Sequence, residues 1–115
     1  MSNLKVLDLT SHLSGPYCAM ILADHGADVV KIEKPNDGDQ LRKTPPFQSG
    51  ESAPFMLWNR NKRSVTLDLK DFKDHQLLLK MVEAADIMIE NFKPGTASRL
   101  GIDYVSVSKI NPALI

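Results

Sequence analysis

The sequence predicts an α/β fold built on a parallel sheet, and three observations carry that reading. A strand, a helix and a second strand follow one another within the first 33 residues, the order of a right-handed parallel βαβ unit. Farther along, a segment of period-2 apolarity leads into a helix with one apolar stripe. A further apolar strand follows that helix.

Each element has its own signal. Lys5 to Thr10 reads as the first strand, because Val6, Leu7 and Leu9 are bounded by the polar cluster Thr10, Ser11 and His12. Ser14 is the expected N-cap of a helix over Tyr17 to His25, with Pro16 in its first turn and Gly26 at its end. Asp28 to Glu33 is the second strand, through Val29, Val30 and Ile32. Pro35 to Pro54 contains Pro35, Gly38, Pro45, Pro46, Gly50 and Pro54, and predicts a long loop without regular structure. Ser64 to Leu69 alternates Val65, Leu67 and Leu69 with polar residues, the pattern of a half-buried third strand. Asp71 then caps a helix, Asp74 lies near its positive end, and Leu77, Leu78, Met81, Val82 and Ala85 form a core stripe. Asp86 to Glu90 is the fourth strand. The loop Asn91 to Gly95 opens a short helical stretch ending at Leu100-Gly101, and a second short helix runs from Tyr104 to Ile110. Ala113 to Ile115 reads as the start of a strand, so residues 1–115 are expected to be the amino-terminal part of a larger domain.

Composition excludes several function classes. The 14 basic and 14 acidic residues cancel, so nothing draws the chain to nucleic acid or to an anionic membrane by long-range attraction. No apolar run approaches the roughly 20 residues that cross a bilayer, and the first residues lack a secretory h-region. A cytoplasmic protein is expected. The single cysteine, Cys18, can form no internal disulfide and no closed sulfur-rich zinc site. It is expected to pack in the core, and no metal is expected.

In open parallel sheets, ligands gather beyond the carboxyl ends of the strands, where loops lead into helix N-termini. Here those loops are Thr10 to Pro16, the segment from Lys34, Leu69 to Asp71, and Asn91 to Gly95. A phosphorylated, nucleotide-bearing ligand fits that setting. Glu33 stands where dinucleotide-binding folds place their ribose-binding acid. Between Thr10 and Tyr17, however, Gly15 is the only glycine, so the G-x-G-x-x-G turn that admits a pyrophosphate is missing. The run Asn59 to Arg63 is basic, but reads as a solvated turn rather than a phosphate site.

Four blocks carry a resemblance to a known family. They are VLDLTSHLSGPYCAMILADHGADVVKIEKP, GESAPFMLWNRNKRSVTLDLK, ADIMIENFKPGTASRLG and INPALI, in family order at family spacing. Together the chain resembles the class III CoA-transferases, also called the CaiB/BaiF family. The resemblance implies a Rossmann-like large domain that binds coenzyme A, in a subunit whose two copies interlock as a homodimer. It implies acyl-CoA and carboxylic acid substrates, with CoA passing between acids through a thioester on one aspartate. That aspartate lies beyond residue 115 in the family, so no residue here takes a catalytic role. The chain alone is expected to be inactive, and the remainder of the enzyme is an expected partner.

The same resemblance assigns cofactor contacts. His12, Leu13 and Ser14 border the thioester end of the pantetheine arm, with Leu13 at a place where other members carry a glutamine. Lys34 lies near the adenosine phosphates, in place of an arginine. Leu67 walls the adenine and Lys70 adds a cation near the nucleotide. Asn91 and Phe92 line the site. Arg99 approaches the ribose phosphate, where its guanidinium can make paired charged hydrogen bonds, and Leu100 lies beside the adenine. Two alternatives stay open. One is an α-methylacyl-CoA racemase-like enzyme of the same fold, which the fuller GESAPFMLWNRNKRS block disfavours. The other is a non-catalytic CoA-binding or interaction fragment.

Overall fold

The structure, a computed structural model, describes all residues from Met1 to Ile115. Strand β1 spans Lys5–Asp8, helix α1 Ser14–Asp24 and strand β2 Asp28–Glu33. A 3₁₀ turn at Gln40–Lys43 is followed by a hairpin of β3 (Phe47–Gln48) and β4 (Glu51–Ser52), then helix α2 (Ala53–Trp58). Strand β5 (Arg63–Thr66), helix α3 (Phe72–Glu83), strand β6 (Ile87–Ile89) and helices α4 (Thr96–Arg99) and α5 (Tyr104–Ile110) complete the order. The main sheet has the order β5-β2-β1-β6, and every pairing in it is parallel. The α/β reading of the sequence holds.

Apolar burial on both sheet faces explains the layering. On one face α3 and α5 cover the sheet, and Leu78, Val82, Ile102 and Val107 are almost fully buried with Leu7, Leu9, Ile32 and Leu67. On the other face α1 places Ala19 and Ala23 against Val6 and Val29. Small residues are needed there, since a short helix must lie close to the strands. Gly15 shows the tightest approach: a Cβ added to it would overlap the Thr10 side chain.

Several expectations need correction. Ser14 is the first residue of α1, not its cap. The cap position belongs to Leu13, which makes no side-chain capping bond. Cys18 is exposed on the outer side of α1, together with Tyr17 and Ile21, because the helix buries only its alanine, methionine, glycine and proline side. The segment Pro35 to Pro54 is not irregular throughout: it holds the 3₁₀ turn, the hairpin and the start of α2. The Ser52 side chain accepts the Phe55 amide at 3.3 Å and Pro54 occupies the first turn, so α2 carried a start signal inside a proline-rich stretch. The third strand is shorter than its alternation, ending at Thr66. Leu77 is 46% exposed and stands outside the stripe that Leu78 and Val82 bury.

Asp71 does cap α3, accepting the amides of Lys73 at 3.0 Å and Asp74 at 3.1 Å. At the open edge of β6, the Ile115 amide donates to Asp86 O and the Met88 amide donates to Ile115 O. These two bonds are those of a parallel pairing, and they involve Ile115 alone: Ala113 lies in a turn, so the strand start expected at Ala113 is not formed there. No helix is long and apolar enough to cross a membrane.

Candidate functional site

The carboxyl ends of the four parallel strands open into a cavity of about 500 Å³. Leu9 to Ser11 enter it from the end of β1, Glu33 and Lys34 from β2, Leu67 to Lys70 from the segment after β5, and Asn91 to Lys93 from the loop after β6. Parallel topology is the cause: all four strands deliver their following loops to the same edge of the sheet. A second depression of about 450 Å³, lined by His75 and Arg99, adjoins the first and shares Leu69, Lys70 and Leu100 with it.

The expected site residues divide between these places. Lys34, Leu67, Lys70, Asn91, Phe92 and Leu100 line the larger cavity. Arg99 lines the neighbouring depression, with its guanidinium held by Thr96 Oγ1 at 3.0 Å. His12, Leu13 and Ser14 line neither. They stand at the rim, where His12 has a left-handed backbone (φ 71°) and Leu13 is 48% exposed. Leu67 is both core and wall, being buried in the main cluster while bordering the cavity. Asn91 has less freedom to bind a ligand than its position suggests, since its carboxamide exchanges two bonds with the Ser11 backbone at 2.9 and 3.1 Å. It ties the loop after β6 to the loop after β1.

Behind the cavity lies a buried ionic cluster that the sequence reading did not identify. Lys31 Nζ is 2.9 Å from Asp39 Oδ2 and donates to Thr10 O at 2.9 Å. The ion pair with Asp39 is a charge contact without hydrogen-bond alignment, which leaves Oδ2 without a hydrogen-bond donor. Lys62 Nζ donates to Asp8 Oδ2 at 2.8 Å, to Pro16 O and to Asn59 Oδ1. Burial lowers the Lys62 pKa, and Asp8 offsets part of that shift. Within the basic run Asn59 to Arg63 the solvated-turn reading therefore fails at Lys62. It holds for Arg60 and Arg63, which make outlying ion pairs with Asp24 and Asp28.

Glu33 forms a second brace. Arg42 donates to both its carboxylate oxygens at 2.7 Å, the Asp39 amide donates at 2.9 Å, and Ser64 Oγ donates at 3.0 Å. Burial alone raises the Glu33 pKa, but the bonds from Arg42, Asp39 and Ser64 outweigh it and hold the group at about 2. Arg42 also stacks on the Phe55 ring, with Cζ 3.8 Å from the centroid. The Arg42 side chain thus joins the end of β2 to α2. Gly38, at φ 62°, passes so near the Glu33 carboxylate that a side chain there would overlap it. Glu33 works as a structural anchor, which agrees with the missing dinucleotide fingerprint.

The cavity mixes an apolar wall of Leu67, Leu69, Phe92 and Leu100 with the lysines Lys34, Lys70 and Lys93; of the three acids that also line it, Glu33 is held by Arg42 and Asp39 by Lys31, and Asp68 accepts the Lys70 amide. Lys34 keeps its ammonium in solvent, with Asp37 3.8 Å away. Such a lining suits a ligand that is flat and apolar in one part and multiply anionic in another. Sequence reasoning missed Lys93 and Asp39. Asp39 had a readable signal as the cap of Gln40–Lys43, where its side chain accepts the Leu41 amide.

Comparisons with known proteins extend over the whole chain. A profile described as CoA-transferase family III matches residues 1–115. The succinyl-CoA:mesaconate CoA-transferase of Haloarcula hispanica is 48% identical over an alignment 120 positions long, covering 100% of this chain and 30% of that protein. The acetyl-CoA:oxalate CoA-transferase of Acetobacter aceti is 46% identical, covering 97% of this chain and 29% of that protein. The crystal structure of a CaiB/BaiF family protein from Brucella suis superposes with a TM-score of 0.93 at 41% identity, over 99% of this chain and 31% of that one. The chain spans about 30% of the length of the curated relatives it matches.

Proposed function

This chain belongs to CoA-transferase family III, and from that premise we propose that it is the amino-terminal, CoA-binding part of an enzyme that moves CoA between carboxylic acids. The observation that carries the reading is the cavity at the strand ends, which Lys34, Lys70 and Lys93 line together with an apolar wall. The nucleotide half of CoA has the complementary chemistry, an apolar planar base beside a diphosphate and a 3′-phosphate. Leu67 and Leu100 are assigned to the base, and Lys34 and Lys70 to the phosphates. Arg99, across the shared wall, is assigned to the phosphate on the ribose. His12, Leu13 and Ser14 at the rim are assigned to the path of the pantetheine arm.

The transfer itself is proposed to run through a thioester on an aspartate beyond residue 115, in a parent protein whose two copies interlock. Within residues 1–115, Asp8 and Asp39 are buried beside lysines, which suits a scaffold and not a nucleophile. The relatives named above act on mesaconate or oxalate, both dicarboxylic acids, so the acceptor is sought first among dicarboxylates.

Calorimetric titration with CoA and with 3′-dephospho-CoA tests the site. CoA is expected to bind more tightly than the dephospho form, and Lys34→Ala with Lys70→Ala to weaken CoA by tenfold or more, since each charged hydrogen bond contributes about 1.5–3 kcal/mol. Absence of binding, or an affinity untouched by the paired substitution, would overturn the assignment.

A further inference from the structure

The loop after β1 and the segment after β2 meet at one side chain. The Asp39 carboxylate accepts the His12 amide at 3.0 Å through Oδ1, which also accepts the Leu41 amide at 2.9 Å. Its other oxygen faces Lys31 Nζ at 2.9 Å, and Lys31 in turn holds Thr10 O. Both side chains are almost completely buried. His12 is the residue in this loop with a left-handed backbone, φ 71°, a conformation that a residue with a side chain adopts only when its surroundings hold it there. Nothing else in the structure accepts the His12 amide.

From this geometry we infer that Asp39, fixed by Lys31, is a positioning residue that holds His12 in its left-handed conformation and so sets the rim segment His12-Leu13-Ser14 along the path of the pantetheine arm. The inference rests on the CoA reading above and deepens it. Asp39 lines the cavity, but it acts on the ligand through the backbone of His12. The same carboxylate also caps the turn at Gln40–Lys43.

Removing Asp39 alone would leave the buried Lys31 ammonium with only Asp8 Oδ2, 3.9 Å away and already bonded to Lys62, a change that can prevent folding. The primary variant is therefore Lys31→Met with Asp39→Ala, which removes both charges and leaves the Asp8 to Lys62 pair in place. Lys31→Met with Asp39→Asn serves as the conservative control, because it keeps an oxygen for the His12 amide and leaves no buried ammonium without its partner. Measured on the full-length protein, two ligands separate positioning from bulk stability. They are CoA and adenosine 3′,5′-bisphosphate, which lacks the pantetheine arm. In the primary variant CoA affinity is expected to fall about tenfold, the size of one lost buried hydrogen bond, with the bisphosphate unchanged and exchange of the His12 amide with solvent faster. Lys31→Met with Asp39→Asn is expected to retain most of the CoA affinity. Equal weakening of both ligands, or full CoA affinity despite an unprotected His12 amide, overturns the positioning role. If the unaltered protein binds neither ligand, the CoA reading itself has failed and the positioning role falls with it.

Discussion

Glu33 ends β2 with its carboxylate enclosed by Arg42, Ser64 and the Asp39 amide. Its folded pKa of about 2 lies below the ordinary 4.5. A depressed carboxylate contributes stability that is complete above about 4.5 and is lost as pH falls toward 2. The shift corresponds to about 2–3 kcal/mol once solvent screening at the 37% exposed Arg42 side chain is allowed for. Denaturant titrations between pH 6 and 2.5 should show this loss, and Glu33→Gln should flatten the dependence while lowering stability at neutral pH. Gly15 supplies a second residue-level test. Gly15→Ala drives a methyl group into Thr10, so a loss of about 1–3 kcal/mol is expected by thermal or denaturant unfolding. The sequence marked Gly15 only by the absence of other glycines around it. Its need for space comes from the Thr10 side chain across the loop, which no local pattern reveals.

Among the elements, α3 follows sequence rules most closely. Its cap, its acidic first turn and its buried positions all come from spacing within one segment, and the structure has Asp71, Asp74, Leu78 and Val82 in those roles. Asp71→Ala should cost about 1 kcal/mol through the lost cap. Leu78→Ala, at a fully buried position, should cost about 2–5 kcal/mol, whereas Leu77→Ala at a half-exposed one should stay within about 1 kcal/mol, both read from urea midpoints. Helix α1 was legible only in part. Its apolar residues run around the whole helix, so periodicity could not say that Cys18 faces outward while Ala19 and Ala23 face the sheet. Helix α2 was hidden by the prolines and glycines around it. Its packing partners lie outside the helix: Arg42 stacks on Phe55, and Tyr17 of α1 meets Trp58 edge-on.

At the scale of the whole molecule, the cavity exists because four parallel strands deliver their loops to one edge. Residues from Leu9 to Leu100 become neighbours there, although they are spread over most of the sequence. The lysines around this cavity are solvent-facing, so their attraction to a polyanion should weaken with salt. CoA affinity measured at 50 and 500 mM salt should fall with rising salt in the unaltered protein, and less steeply after Lys34→Ala with Lys70→Ala. The exposed cysteine and the neighbouring Tyr17, Ile21, Met56 and Leu57 show that the surface of α1 and α2 is more apolar than composition alone implied.

By itself the sequence determined the order of the four parallel strands and of α1, α3, α4 and α5, the parallel α/β class, the cap of α3, the four loops that border the cavity and the family blocks within them. Those features depend on spacing and residue type over short stretches, where hydrophobic periodicity and turn chemistry are strong signals. Only the tertiary structure decided that Asn91 is tied to Ser11, that Lys62 is buried on Asp8 while Arg60 and Arg63 stay outside, and that Asp39 joins Lys31 to the His12 amide. Each of those choices turns on burial of a charged or polar group beside a partner far away in the chain. The free energy of such a group is set by the partner that shares its low-dielectric surroundings, and chain folding alone brings that partner near.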